Sequence, residues 1–286
     1  MKLNDLCFEI IRACPNNCLF CSSSSTSYES EMISYNLFCK TIDRFITLGG
    51  ITELSISGGE PLLHPDLLAM INYVKSLNIK VILYTSGIYK SKDNYTSIPE
   101  ELINTLKESA LDKIIFNLQT IKEDNYNYLT GTKNFLPFVL ESIAKARDAD
   151  IATEIHFIPL KINKNDLEDI LLLGVERVSL LRFIPQGRGF INAKELMLSG
   201  YELQRFMEKT YCYQGIRKGV HLQEKDTHKC SAGLGKYLIR SDGHILPCAA
   251  FKDTDYVLAN INDTNFTLKF SNNTRVKPLC KELKRF

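Results

Sequence analysis

Through residue 211, short apolar runs rich in Ile, Val, Leu, Phe and Tyr alternate six times with stretches of helical spacing. The strand candidates are 6–12, 53–57, 80–85, 113–119, 152–158 and 177–184, and their composition suits a pleated, buried element. Helices are expected over 37–48, 66–77, 98–106, 136–146, 165–173 and 201–211. In the first of these Leu37, Ile42, Phe45 and Ile46 lie near one face, and Pro65 stands where the second would begin. Strand–helix units in series require parallel pairing with right-handed crossovers. Six units make a partial barrel or an open doubly wound sheet, and in both the ligands gather at the C-terminal ends of the strands. The unusual residues of this chain fall just after those ends.

The pattern breaks near residue 211. Two short strands, 236–240 and 244–246, are joined across Ser241-Asp242-Gly243, and Asp-Gly is a strong hairpin signal. The expected fold class is α/β: a partial (βα)6 TIM-like barrel over 1–211, then a small, mostly β C-terminal module over 212–286. The 286 residues suffice for both, with 44% hydrophobic residues to fill a core. The run from Ser22 to Ser25 is too short to read as a linker. A net charge of +2, with no run of five basic residues, gives no support for nucleic acid as the main partner. No apolar stretch approaches the ~20 residues of a membrane helix. Residues 1–11 lack the basic-then-apolar pattern of a secretory signal. A cytoplasmic protein is expected, with no membrane partner. Thiols there stay reduced, so nine cysteines point to metal binding or burial rather than disulfides.

Cys14-Pro-Asn-Asn-Cys18-Leu-Phe-Cys21 follows the first strand. Three thiolates this close converge on one small object only if the chain loops around it, and Pro15, Asn16 and Asn17 are loop formers. A zinc site would want four ligands, and no local His or Cys completes the set. A 4Fe–4S cluster on three cysteines leaves one iron open to a small chelating molecule. From the cysteines alone a partial zinc site stays open as the alternative. Likewise Ser57-Gly58-Gly59-Glu60-Pro61, taken alone, could be an ordinary turn before a helix.

Together and in this order, the two segments resemble the radical S-adenosylmethionine (SAM) superfamily. Its signature is Cys-x3-Cys-x2-Cys with an aromatic residue before the last cysteine, and Gly-Gly-Glu-Pro after the second strand. The resemblance implies that Cys14, Cys18 and Cys21 hold a 4Fe–4S cluster whose open iron chelates the amino and carboxylate groups of SAM. One electron would break the S–C5′ bond, and the 5′-deoxyadenosyl radical would take a hydrogen from the substrate. The protein would position and shield it. Phe20 is implied near the adenine. Ser57, Gly58, Gly59, Glu60 and Pro61 are implied at the methionine end, where glycine permits close backbone approach. Thr85 and Ser86, before Gly87, would line the same site, with Ser where many relatives have Asn. An electron donor such as flavodoxin or ferredoxin is implied as a partner.

Alternation on the fifth strand sets Ala152, Glu154, His156 and Ile158 on one face. Glu154 and His156 would be out of place against helices, so the lumen is expected for them. Asn117 and Gln119 share a face of the fourth strand, where polar residues of relatives contact the ribose. Arg182, near the end of the sixth, could pair with a carboxylate of cofactor or substrate. His156, Glu154 and Arg182 are therefore the catalytic candidates, against the plainer readings of a structural pair and a surface ion pair. Cys7 and Cys39 read as buried thiols, and His64 as a helix cap.

A hairpin closed at Asp242-Gly243 would bring Cys230 and Cys248 to one ligand. That stretch resembles the SPASM and Twitch auxiliary-cluster modules found after the core of many radical SAM enzymes. So do Asn260-Ile261-Asn262-Asp263, with Ala259 where Gly is common, and the linker-like segment Phe183-Ile-Pro-Gln-Gly-Arg-Gly189. A full SPASM module carries a dense group of further cysteines. Here only Cys280 remains, in Cys280-Lys-Glu-Leu283, where relatives often have Cys-x2-Cys. One auxiliary Fe–S cluster on Cys230, Cys248 and Cys280 is expected, not two; its fourth ligand is missing unless Cys212 or a non-cysteine group supplies it, and an iron left open could bind substrate or a partner. Zinc, or no metal, is the alternative there.

The resemblance implies an enzyme. SPASM-bearing relatives often modify ribosomally made peptides, so a peptide is the first expected substrate. The core starts by residue 5, so a separate peptide-recognition protein could take the place of an N-terminal recognition domain. The alternatives are a radical dehydrogenase of a sugar or alcohol, an activase that installs a glycyl radical on a partner, and a non-enzymatic Fe–S sensor. The intact Gly-Gly-Glu-Pro segment disfavours the sensor.

Overall fold

A computed structural model describes residues 5–219, 222, 232–252, 254–263 and 265–268. Strands β1 (Asp5–Glu9), β2 (Glu53–Ser57) and β3 (Lys80–Thr85) are followed by a hairpin, β4 (Ile88–Ser91) and β5 (Asn94–Ser97). Then come β6 (Lys113–Asn117), β7 (Thr153–Phe157), β8 (Arg177–Leu180), β9 (Ile216–Lys218), β10 (Lys236–Ile239), β11 (His244–Leu246) and β12 (Ala259–Asn260). The main sheet runs β12-β11-β10-β1-β2-β3-β6-β7-β8-β9. Every pairing from β10 to β9 is parallel, and β11 and β12 add antiparallel strands at one end. This is the expected partial barrel of six consecutive strands, β1, β2, β3, β6, β7 and β8, carrying C-terminal antiparallel strands.

The alternation of each strand decides its two faces. Phe8, Ile56, Leu83, Phe116, Phe157 and Leu180 are fully buried beneath the helices. Phe8 stacks on Phe38 of α1 (Tyr35–Leu48), ring centroids 5.1 Å apart. Each such side chain contributes about 1.5–3 kcal/mol by leaving water. The other helices are α2 (Leu67–Ser76), α3 (Glu100–Glu108), α4 (Glu123–Thr130), α5 (Leu136–Asp148) and α6 (Leu167–Leu171). Three more follow: α7 (Arg188–Ile191), α8 (Ala193–Leu196) and α9 (Gly200–Lys209).

Several boundaries differ from the sequence expectation. β1 stops at Glu9 rather than 12, because the chain beyond it pairs with the returning loop. Ile11 bridges Met32, and the Arg12 amide donates to the Glu31 carbonyl at 2.8 Å. β6 ends at Asn117 and β8 at Leu180, so Gln119 and Arg182 sit beyond their strands. α3 starts at Glu100 because Pro99 occupies its N-cap, and a residue before proline avoids helical geometry. The β4–β5 hairpin and α4 were not expected: both are polar and lack a long apolar period. α4 buries only Tyr126, Leu129 and Thr130.

The C-terminal hairpin forms where Asp242-Gly243 places it, with Gly243 at φ +85°. It continues the barrel sheet instead of standing apart, since β10 pairs with β1 from Asp5–Lys236 to Phe8–Ile239. Among the described residues no helix is long and apolar enough to cross a membrane.

Candidate metal centre and active site

The loop from Cys14 to Cys21 is held from three sides by backbone hydrogen bonds. The Cys14 amide donates to the Thr26 carbonyl at 3.0 Å. The amides of Asn17 and Leu19 donate to the carbonyls of Thr130 and Leu129, at 2.7 and 2.9 Å. The C-terminal end of the unforeseen helix α4 is thus the shelf on which the cysteine loop rests. The three free thiols line one cavity of about 260 Å³ together with Phe20. Burial and the neighbouring Cys18 push the Cys14 thiol well above its ordinary range. Burial and Cys21 push Cys18 up to about 12, against the nearby Arg188. Cys14 and Cys18, crowded thiols that resist ionising in the free protein, suit a metal, which supplies the missing positive charge as it displaces their protons. Among the described residues no three His, Cys, Asp or Glu groups converge as they would on a single ion. A cube-shaped cluster offers each cysteine its own iron, so its ligands need only ring a space.

The glycine turn after β2 fits against this loop so closely that side chains are excluded. A Cβ at Gly58 would stand 2.3 Å from the Ile11 carbonyl oxygen, and one at Gly59 2.2 Å from that of Ala13. The same contact carries two hydrogen bonds, Gly59 to Ile11 at 2.7 Å and Glu60 to Ala13 at 2.8 Å. The glycines were expected to serve a ligand. They also join the turn to the backbone that enters the cysteine loop. Glu60 is fully buried and does not line the cavity. Its carboxylate accepts from Thr85 Oγ1 (2.6 Å), the Ser86 amide (2.7 Å), Ser86 Oγ (2.5 Å) and the Leu62 amide (3.2 Å). Burial pushes its carboxyl up, against these hydrogen bonds. Glu60 therefore positions Thr85 and Ser86, which do line the cavity beside Ser57, Gly58 and Gly59. Pro61 is buried outside that lining, at the start of a short 3-10 turn.

The expected lumen face of β7 is correct for His156 and Ile158, which line the cavity, as does Asn117. Gln119 does not. It is buried, donating from Nε2 to Asn117 Oδ1 at 2.7 Å and accepting from the Ile158 amide at 2.6 Å. Its place is behind Asn117, fixing it. Glu154 lies below the cavity, 1% exposed, bonded to Ser179 Oγ and to Lys113 Nζ at 2.9 Å, with His156 Nε2 at 3.6 Å. Burial alone would raise its carboxyl, yet the bonds from His156, Ser179 and Lys113 hold it well below the usual range. It is the floor beneath His156, which also meets the Tyr84 ring edge-on at 5.2 Å. Arg182 falls after the strand, and the neighbouring Leu181 lines the cavity instead. Cys7 and Cys39 are half-buried rather than buried, and Cys7 shares the lumen face of β1 with Glu9. His64 does cap: Nδ1 accepts from the Asp66 amide at 3.0 Å, while Nε2 reaches the Ile33 carbonyl at 2.9 Å.

Sequence reasoning missed Arg188 and Lys252, both in the cavity wall. Arg188 donates to the carbonyls of Cys18 (2.9 Å) and Ser25 (2.7 Å). Next to it, Gln186 donates to the Ala250 carbonyl at 2.8 Å and accepts from the Lys252 amide at 3.1 Å. The segment read as a linker therefore bridges the cysteine loop and the C-terminal strands. Of the second cysteine set, Cys248 lies just past β11, half-buried, its sulfur 3.5 Å from the Ala250 amide. Cys212 is exposed at the end of a short turn after α9. Cys230 and Cys280 lie outside the described residues.

Comparison with known proteins gives a consistent picture. The family profile described as the Radical SAM superfamily matches residues 8–174. A protein of Saccharolobus solfataricus named "Probable GTP 3',8-cyclase" is 27% identical over 224 residues, 76% of this chain and 68% of that one. The "AdoMet-dependent heme synthase" of Methanosarcina barkeri is 23% identical over 85% of this chain and 76% of its own. Among solved structures, Streptococcus suis SuiB bound to precursor peptide SuiA superposes with a TM-score of 0.74 at 18% identity. The match covers 94% of this chain but only 64% of SuiB. Native anSMEcpe with bound AdoMet and Cp18Cys peptide superposes with a TM-score of 0.71 at 14% identity, over 99% of this chain and 83% of the other. These likenesses establish the shared fold.

Two outcomes follow from the geometry. Gly59→Ala forces a methyl into two backbone carbonyls and should destabilise the fold by about 1–3 kcal/mol. It should also lower the iron retained after anaerobic reconstitution, whereas Ser57→Ala should not; colorimetric iron assay and thermal melting read both. For Glu154, the depressed folded-state pKa means that the carboxylate contributes stability above its unfolded value, about 4.3. That stability is lost as the pH falls toward the folded value. Glu154→Gln should therefore be less stable than the parent at pH 7, with the gap narrowing between about pH 5 and pH 2 in urea titrations. A gap independent of pH would show that the carboxylate's charge has no part in it.

Proposed function

This chain belongs to the radical SAM superfamily and is a radical SAM enzyme, and we propose that its substrate is a ribosomally made peptide. When bound, the cluster and SAM would supply the radical chemistry of hydrogen-atom abstraction, and the residues below would hold and shield them. Cys14, Cys18 and Cys21 would hold the 4Fe–4S cluster, on the evidence that all three line one cavity. Phe20, Ser57, Gly58, Gly59, Thr85, Ser86 and Asn117 border the same space and would contact SAM. Glu60 and Gln119 would act at one remove, by fixing Thr85, Ser86 and Asn117. His156 keeps a place as a polar side chain of the cavity wall, its Nε2 turned to Glu154 beneath. Glu154 is its support, and Arg182 receives no contact role.

The observation that carries the peptide reading is the likeness, over 94% and 99% of this chain, to two structures solved with peptides bound. In this reading residues 1–211 form the radical core, and 212–286 an auxiliary SPASM/Twitch-like module. Cys248, with Cys230 and Cys280, would carry one further Fe–S cluster. A second reading, a small-molecule substrate, draws on the relatives named as GTP 3',8-cyclases.

The test uses protein reconstituted anaerobically with iron and sulfide. With dithionite and SAM it should release 5′-deoxyadenosine, and a variant with Cys14, Cys18 and Cys21 all changed to Ala should not. About four irons per chain should remain in that variant. If none remains, the auxiliary cluster is withdrawn. If a panel of candidate precursor peptides fails to raise turnover while small molecules do, the peptide reading yields to the second.

A further inference from the structure

A second cavity, about 540 Å³, adjoins the first, a size within the ~300–1,000 Å³ range of ligand pockets. The two are neighbours in the strict sense that Glu9, Ser22, Ser23, Ser25 and Lys252 line both. Whatever occupies the outer one stands against the same side chains that border the cofactor cavity. The serine run too short to be a linker thus has a place: all four hydroxyl-bearing residues, Ser22 to Ser25, are in this wall.

The lining itself holds more cations than carboxylates. It contains three cations, Arg12, Arg240 and Lys252, and one carboxylate, Glu9. The carboxylates that orient the two arginines stand outside the lining. Glu29 and Glu31 lie 3.4 and 3.3 Å from Arg12, and Asp242 lies 2.6 Å from Arg240. A guanidinium has five N–H donors in a fixed fork, so each arginine keeps donors beyond these pairs. Lys252 is 2.5 Å from Glu9, bonds Ser23, and is the cation in the linings of both cavities. Its partners are a carboxylate and a hydroxyl, the groups an incoming anion would replace or join.

We propose that this outer cavity is the substrate chamber, and that it takes an anionic group, a carboxylate or a phosphate. Arg12 and Arg240 would hold the anion, and Lys252 would stand at the end nearest the cofactor. The word substrate rests on the radical reading above, while anion binding stands without it. Counted with their partners the three cations meet four carboxylates, so the anion is called for by the spare guanidinium donors rather than by net charge, and an acidic peptide and a nucleotide both supply one.

Calorimetric titration of the reconstituted protein at low salt, with SAM present, tests this with two probes: GTP and the peptide acetyl-Glu-Ser-Glu-amide. At least one should bind, and Arg240→Gln should weaken that probe about tenfold or more, as loss of a charge-assisted bond does. Arg12→Gln should weaken it in the same direction. Arg240 lies outside the cofactor cavity, so SAM titrated into the Arg240→Gln protein should bind as in the parent, which checks the fold. Binding of GTP alone identifies the anion as phosphate, and binding of the peptide alone as carboxylate. If neither probe binds, or both arginine variants bind as the parent does, the proposal is overturned. Failure of the radical reading would be seen separately, as parent protein that releases no 5′-deoxyadenosine.

Discussion

Two carbonyl oxygens, those of Ile11 and Ala13, accept the amides of Gly59 and Glu60 at 2.7 and 2.8 Å, and this contact organises the C-terminal end of the sheet. A hydrogen bond of this kind contributes only about 0.5–1.5 kcal/mol. Its consequence lies in geometry, because only glycine lets the two backbones approach so closely. Once they meet, the turn after β2 and the entry to the cysteine loop become one piece. Glu60 extends that piece to the end of β3 through Thr85 and Ser86. Three successive strand ends are thereby fixed relative to one another before any ligand arrives. Such preorganisation is what a reactive intermediate needs from its protein.

Beneath these strand ends the lumen is polar in layers. Glu154 gathers Lys113, Ser179 and His156 deep in the barrel, far enough from water that removing one partner would strand a charge. Above it lie His156 and Asn117, and above those the cysteine loop. Glu154, Asn117, Thr85 and Ser86 are thus each committed to a named neighbour, whereas Asn16 Oδ1 and Ser25 Oγ, buried in the same wall, make no hydrogen bond among the described residues. The C-terminal segment completes the enclosure, since Gln186 and Arg188 connect it to the loop that carries the thiols. Chemistry at the cysteines and residence of the C-terminal strands are therefore mechanically linked.

The barrel strands were legible because burial on one face imposes a period of two, and long apolar helices impose their own. β2 and β3 begin and end where the pattern places them. What was illegible lacked that imprint. α4 shows few apolar residues, yet it supports the cysteine loop through the carbonyls of Leu129 and Thr130, atoms that every residue possesses. The cysteine and glycine motifs were readable as local spacings. Gln119 was read as a ligand contact because it shares parity with Asn117, but the strand ends between them and parity no longer applies. Arg188 and Lys252 could not be found by spacing, since their partners lie more than 160 residues away in the chain. The segment around Gln186 gave the available hint, as a glycine-rich stretch with no periodic reason to exist.

Among the described residues the ten strands do not close into a ring, and the sheet ends at two margins. Their lengths matter more than their number. At one margin stands β9, three residues long and carrying Arg217 and Lys218; at the other stands β12, only Ala259 and Asn260. An unpaired strand edge is a template for a neighbouring chain, and short, charged edges blunt that tendency. By spending its long strands in the middle and its shortest at the rims, the open barrel gives a second molecule very little ladder on which to begin an aggregate.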